Sequence, residues 1–456
     1  MLRRSFFVRI STAVKTPRED PEWLALDRAH VWHPQTRMQP ASPPMPVVRA
    51  DGVWLELADG RRILDGISSG WVNLFGHNHP RLNAALVAQS AELEQVAFAG
   101  LTHEPASRLA AELVALAPAG LTRVFFSDDG STAVGVAMRM AIRQWRQRGE
   151  DRRRLFVALD HAWHGESFGA MAEGGDATLH AVVDDLLCEG LVAPVPAGES
   201  EVGGALEALA ALLDRVDGDV AAVLVEPIVQ GAGGMRVHPP SFLRGVREAT
   251  RARGLPLIAD EVFTGFGRTG RMFACEHAGI APDLLCLSGG LAGGYLPLAA
   301  TLATEEIHAA WLSAKRGSSF YRGHCGAGNA LACAVARASL ALFAETNCLG
   351  RVGELQRLFA GRLAVISALP GVARVRGLGA LAVVELEVRA KERESGHLDT
   401  RAARLMQEFL DRGVLLPPLG NVVYFLPPYT ISDDECHRVF DILEETLLGS
   451  RRMAGR

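Results

Sequence analysis

Leu257-Ile258-Ala259-Asp260-Glu261-Val262-Phe263-Thr264-Gly265-Phe266-Gly267-Arg268-Thr269-Gly270 decides how this 456-residue chain folds. A short apolar run ends on two acids and gives way to a glycine-rich turn. Comparable apolar runs recur at residues 123–127, 155–159, 220–226, 284–287 and 298–302, with helical stretches between them. Strands this apolar, alternating with helices, predict an α/β fold built on a mainly parallel sheet covered on both faces. Ligands of such sheets bind beyond the carboxyl ends of the strands, which puts Asp260 where a ligand would meet the chain.

Outward from that core the pattern changes. Residues 47–66 read as a hairpin, with Asp51-Gly52 and Asp59-Gly60 as turn dipeptides between short β-prone runs. Beyond about 345, a helix over 349–369 precedes strands at 380–387 and 422–426 and a last helix from Asp433. The organisation expected is an extension at 1–24, an N-terminal segment 25–75 belonging to a small domain, a large domain 76–344, and a small α+β domain 345–456. The first eighteen residues hold Arg3, Arg4, Arg9, Lys15 and Arg18 and no acid. That composition has a faint transit-peptide character, and the reading adopted is a disordered extension or a mis-assigned start.

An apolar content of 48 % with 22 % charged residues describes an ordinary globular protein, and a net charge of −5 argues against a dominant nucleic-acid or anionic-membrane role. Seven scattered cysteines with no CxxC pair fit a reducing cytoplasm and point to neither a metal site nor a disulfide scaffold. Lysine occurs only at 15, 315 and 391.

Two features carry chemistry. An Asp at the end of a buried strand can pair with a pyridinium nitrogen and keep it protonated, so that the ring serves as an electron sink. Ser127-Asp128-Asp129-Gly130-Ser131-Thr132 is a strand-to-helix turn whose N–H groups and helix dipole suit a phosphate, and equally an ordinary helix cap.

The run 260–270, Val225-Glu226-Pro227-Ile228-Val229-Gln230-Gly231 and Trp163-His164-Gly165 together resemble the class III (ornithine/ω-amino) aminotransferases. Trp32-His33-Pro34, residues 76–80, residues 233–240 and Pro427-Pro428-Tyr429 resemble the branch that acts in biotin biosynthesis. Enzymes of that branch move an amino group from S-adenosylmethionine to 8-amino-7-oxononanoate. The resemblance spans about 25–448 and implies a fold type I transferase that uses pyridoxal 5'-phosphate (PLP) and works as a homodimer. By position, Asp260 would face the pyridinium nitrogen, with Val262 and Trp163 on the two ring faces. Gly130 and Ser131 would hold the phosphate, Glu226 and His164 would lie close by, and Cys325 would sit in the dimer-facing phosphate loop. Gln35, Trp71, Gly290 and Pro417 would take the substrate side.

The departures from the family pattern are as informative. Its Ser-Lys-Gly-Leu-Thr-Gly-Gly is here Ser288-Gly289-Gly290-Leu291-Ala292-Gly293-Gly294, so Gly289 stands where the Schiff-base lysine is expected. The substrate-clamping arginine is Pro417, which cannot make a bidentate carboxylate contact. A tryptophan pair is Gly70-Trp71, a histidine is Phe75, a tyrosine is Gln35, and a first-turn glutamate is Gly135. Cys325 offers phosphate a weaker donor than a hydroxyl. Two substitutes for the lost base come into view, His164 and Lys315. Two function classes follow: an aminotransferase by descent, or a non-catalytic homologue that binds a cofactor or metabolite or partners an active paralogue.

Overall fold

The computed structural model describes residues 21–34, 44–171, 190–312, 323–388 and 400–454. Expectations for residues 1–20, Gln35 and Lys315 lie outside these. A helix, Glu22–His30, begins inside the stretch read as a disordered extension.

Strands β1 (Val47–Asp51), β2 (Trp54–Leu57) and β3 (Arg62–Asp65) form an antiparallel meander over the three β-prone runs and two turns read in residues 47–66. The main sheet takes β4 (Leu121–Ser127), β5 (Leu155–Leu159), β6 (Leu191–Ala193) and β7 (Val220–Val225). A two-stranded ribbon, β8 (Val229–Gln230) with β9 (Arg236–Val237), follows. The main sheet is completed by β10 (Leu257–Asp260), β11 (Leu284–Leu287) and β12 (Ala299–Thr304) in the order β4-β12-β11-β10-β7-β5-β6. Only β12 runs against its neighbours. Every residue of β7, β10 and β11 is buried, as strands covered on both faces must be.

A second antiparallel sheet, β13 (Val372–Leu378), β14 (Leu381–Leu386) and β16 (Val422–Phe425), packs with the helix Cys348–Ile366. Between them in sequence, β15 (Val414–Leu415) returns to pair in parallel with β3, so the chain's two ends share one sheet. No helix among the described residues is long and apolar enough to cross a membrane.

Candidate active site

Val225 pairs with Ala259 across β7 and β10, so the next residues, Glu226 and Asp260, leave the sheet side by side. Both are buried. Asp260 Oδ1 accepts from the Val262 N–H at 3.1 Å, and Oδ2 lies 2.7 Å from His164 Nδ1. The His164 side chain is fully buried. It therefore sits as a partner of Asp260 rather than open to solvent.

Glu226 Oε1 accepts from the Trp163 N–H at 2.9 Å and Oε2 from the Gly231 N–H at 2.8 Å. Burial pushes its carboxyl up to about 7; His164 opposes that rise and Asp260 adds to it. The dipeptide Trp163-His164 is thus gripped twice, its backbone by Glu226 and its imidazole by Asp260. A third tie follows at once: the Glu166 N–H donates to Ser131 Oγ at 2.9 Å. Gly165, at φ +125°, has no room for a side chain, because a β-carbon there would lie 2.1 Å from Ser131 Oγ.

Asp129 closes a capping box with Thr132 at the start of the helix Gly130–Gln147. At Gly130 a β-carbon would lie 2.7 Å from Val262 Cγ1, so this turn and the residue after Asp260 touch. The loop carrying Cys325 lies against the same turn: His324 Nδ1 is 3.4 Å from Asp128 Oδ2, and the Gln95 amide donates to the Cys325 carbonyl at 2.7 Å. The Cys325 thiol is exposed.

Gly289 follows β11 in a tight helical turn, Gly289–Ala292, at φ +32°. A β-carbon there would lie 2.9 Å from the Val262 carbonyl oxygen and 3.5 Å from Val72 Cγ1. Lysine is absent from the described residues. The residues present fit the non-covalent part of a pyridoxal phosphate site, with a buried carboxylate at a strand end and a glycine cradle under Val262. They do not fit its covalent anchor.

On the substrate side the outcome is mixed. Trp71 meets Phe263 edge-on at 5.0 Å, donates from Nε1 to the Tyr424 hydroxyl at 3.2 Å, and leaves a β-carbon on Gly231 only 3.3 Å from the indole. Pro417 is half-buried, two residues beyond β15. Gly290 is buried, and a β-carbon there would lie 2.9 Å from Leu74 Cδ1, so it packs on the core. Phe75 is likewise a core residue, its ring 5.4 Å from Phe343. Asp128 and Phe263 sit inside the quoted motifs without a role assigned to them, and Tyr424 lay outside any motif.

The class III aminotransferase family model matches residues 37–447, and the chain belongs to that family. It is 45 % identical over 425 residues to an adenosylmethionine-8-amino-7-oxononanoate aminotransferase from Synechococcus elongatus, covering 91 % of this chain and 99 % of that one. A protein of the same name from Geobacter sulfurreducens is 40 % identical, with 92 % and 96 % covered. Among solved structures, the adenosylmethionine-8-amino-7-oxononanoate aminotransferase of Methanocaldococcus jannaschii superposes with a TM-score of 0.88 at 34 % identity, covering 93 % and 98 %. A PLP-bound amine transaminase from an uncultivated Pseudomonas species gives 0.86 at 31 %, covering 91 % and 98 %. The architecture is that of the PLP-dependent fold type I transferases.

Proposed function

We propose that this chain is a biotin-pathway-type class III aminotransferase homologue that holds pyridoxal 5'-phosphate or its amine form without a covalent bond and does not carry out ordinary Schiff-base transamination. The observation that carries this reading is Gly289, which has no amine and whose backbone conformation favours glycine, set beside Asp260, Trp163, Val262 and the Gly130–Ser131 turn, which keep the non-covalent side of the pocket. Asp260, oriented by His164, would meet the ring nitrogen. Trp163 and Val262 would cover the two ring faces, and Gly130 and Ser131 would take the phosphate. When bound, the cofactor supplies an electron sink for charge developing next to a substrate nitrogen. The chain's own contribution is to bind, orient and exclude water. Pro417 supports the same reading, since it removes the charge that would clamp a substrate carboxylate.

In this reading the small molecules recognised are those of the related enzymes, an amino donor such as S-adenosylmethionine and an acceptor such as 8-amino-7-oxononanoate. The setting is cytoplasmic. The assembly is a homodimer or a pair with a lysine-bearing paralogue, and the domains run as 25–75 with 345–456, and 76–344. The deciding experiment titrates purified protein with pyridoxal phosphate and pyridoxamine phosphate by calorimetry, then treats the aldehyde sample with borohydride and weighs the chain. Binding of both without added mass is expected. A fixed adduct at Lys315 would overturn the proposal.

A further inference from the structure

Residues 68–71 wind the wrong way. Ser68, Ser69, Gly70 and Trp71 have φ of 50°, 46°, 83° and 76°, and the N–H groups of Trp71 and Val72 donate four residues back to Ile67 and Ser68 at 2.8 and 3.1 Å. This is one turn of left-handed helix, and only one of its four residues is glycine. L-residues resist that hand because the β-carbon crowds the following carbonyl. Such strain persists only where the surroundings over-determine it, and it concentrates at functional sites.

Two buried charged residues do the over-determining. Asp65, wholly buried at the end of β3, accepts four hydrogen bonds. They come from the N–H groups of Ile67 (3.2 Å) and Ser69 (3.0 Å), the Ser69 hydroxyl (2.7 Å) and His77 Nε2 (2.9 Å). Arg268, from the glycine-rich turn after Asp260, is also fully buried. It donates to Ser68 Oγ at 3.3 Å and to the Pro427 carbonyl at 2.9 Å, and lies 4.8 Å from the centre of the Tyr429 ring. Ser68 Oγ in turn donates to the Leu426 carbonyl at 2.8 Å. What emerges from the turn is Trp71 against Gly231 and Phe263, then Val72 beside Gly289.

We propose that Asp65 and Arg268 are positioning residues that hold the left-handed turn 68–71 in its strained form, so that the Trp71 indole stands as the substrate-side wall of the pocket. The assignment of that wall rests on the proposed cofactor site; the clamp itself does not. A right-handed or extended connection would withdraw the indole from Gly231.

The chain's seven tryptophans, labelled as 5-fluorotryptophan, give separate fluorine resonances, and Trp71→Phe identifies the one from Trp71. Asp65→Asn is expected to shift or broaden that resonance while leaving the others in place. Adding Ser69→Gly, which tolerates positive φ without the clamp, is expected to restore it. An unmoved Trp71 signal in Asp65→Asn overturns the proposal. So does a change across all the resonances that Ser69→Gly does not reverse, since Asp65 would then serve the fold at large. Pyridoxamine phosphate added to the unmutated protein separates the two ideas: if it leaves the Trp71 resonance still, the cofactor reading of the pocket fails while the clamp is judged on the variants alone.

Discussion

The carbonyl oxygen of Val262 stands 2.9 Å from the point a β-carbon on residue 289 would occupy. With φ at +32°, Gly289 is a site where any side chain meets both a backbone atom and an unfavourable conformation. Gly289→Ala is therefore expected to lower unfolding free energy by about 1–3 kcal/mol, read from urea midpoints. Gly289→Lys should lose at least as much and, without Pro417→Arg, should show no amino transfer. A lysine variant as stable as the parent would mean that the backbone turns there at little cost.

Glu226 predicts a pH dependence of stability. Its folded-state pKa of about 7 lies above the ordinary 4.5, because burial disfavours the charged form. The folded chain keeps a proton the unfolded chain has released, so this residue's contribution is full below about pH 4.5 and declines as pH rises toward 7. The loss is on the order of 3 kcal/mol. Glu261, buried and likewise pushed up to about 7, acts in the same direction. In Glu226→Gln the curve of urea midpoint against pH should be flatter between 4.5 and 7; an unchanged slope would refute the assignment.

Gly130→Ala places a methyl group 2.7 Å from Val262 Cγ1. Overpacking at such a contact costs about 1–3 kcal/mol; with the methyl group pushing Val262 into the space of the ring, pyridoxamine phosphate binding is expected to weaken by roughly fivefold to 150-fold. Calorimetric titration reads this directly. Asp260→Asn should weaken binding by a similar factor by removing the charge opposite the ring nitrogen.

Gly135 behaves in the opposite sense. It lies inside the helix Gly130–Gln147, and a β-carbon there meets nothing within 4 Å. Gly135→Ala should stabilise the protein by about 1 kcal/mol, seen as a raised melting temperature with cofactor affinity unchanged.

The strands that surround the site were legible because burial on both faces writes itself as an unbroken apolar run, as in residues 257–260 and 220–225. Strand direction leaves no such mark, so the reversal of β12 could not be read. β13 escaped for a different reason: Arg374, Arg376 and Gly377 interrupt a half-exposed strand, and its alternation is too weak to register. Asp260, Glu226 and Trp163 stood out through their flanking motifs. The roles of Asp65 and Arg268 did not, since Ser-Ser-Gly-Trp reads as an ordinary loop and its handedness is imposed by contacts from residues up to 358 positions away. His164 and Phe75 show the same limit, because a residue type names a capability while burial decides whether it is used.

The lysine-free body has a practical side as well. Every side-chain amine of the protein lies at position 15, 315 or 391, none of them among the described residues. A lysine-specific protease would therefore leave residues 44–312 uncut, and amine-directed labels would report on three side chains and the N-terminal amine alone. Aldehyde adducts fixed by borohydride are likewise restricted to those three side chains and the N-terminal amine, so a mass map of these sites accounts for every covalent capture.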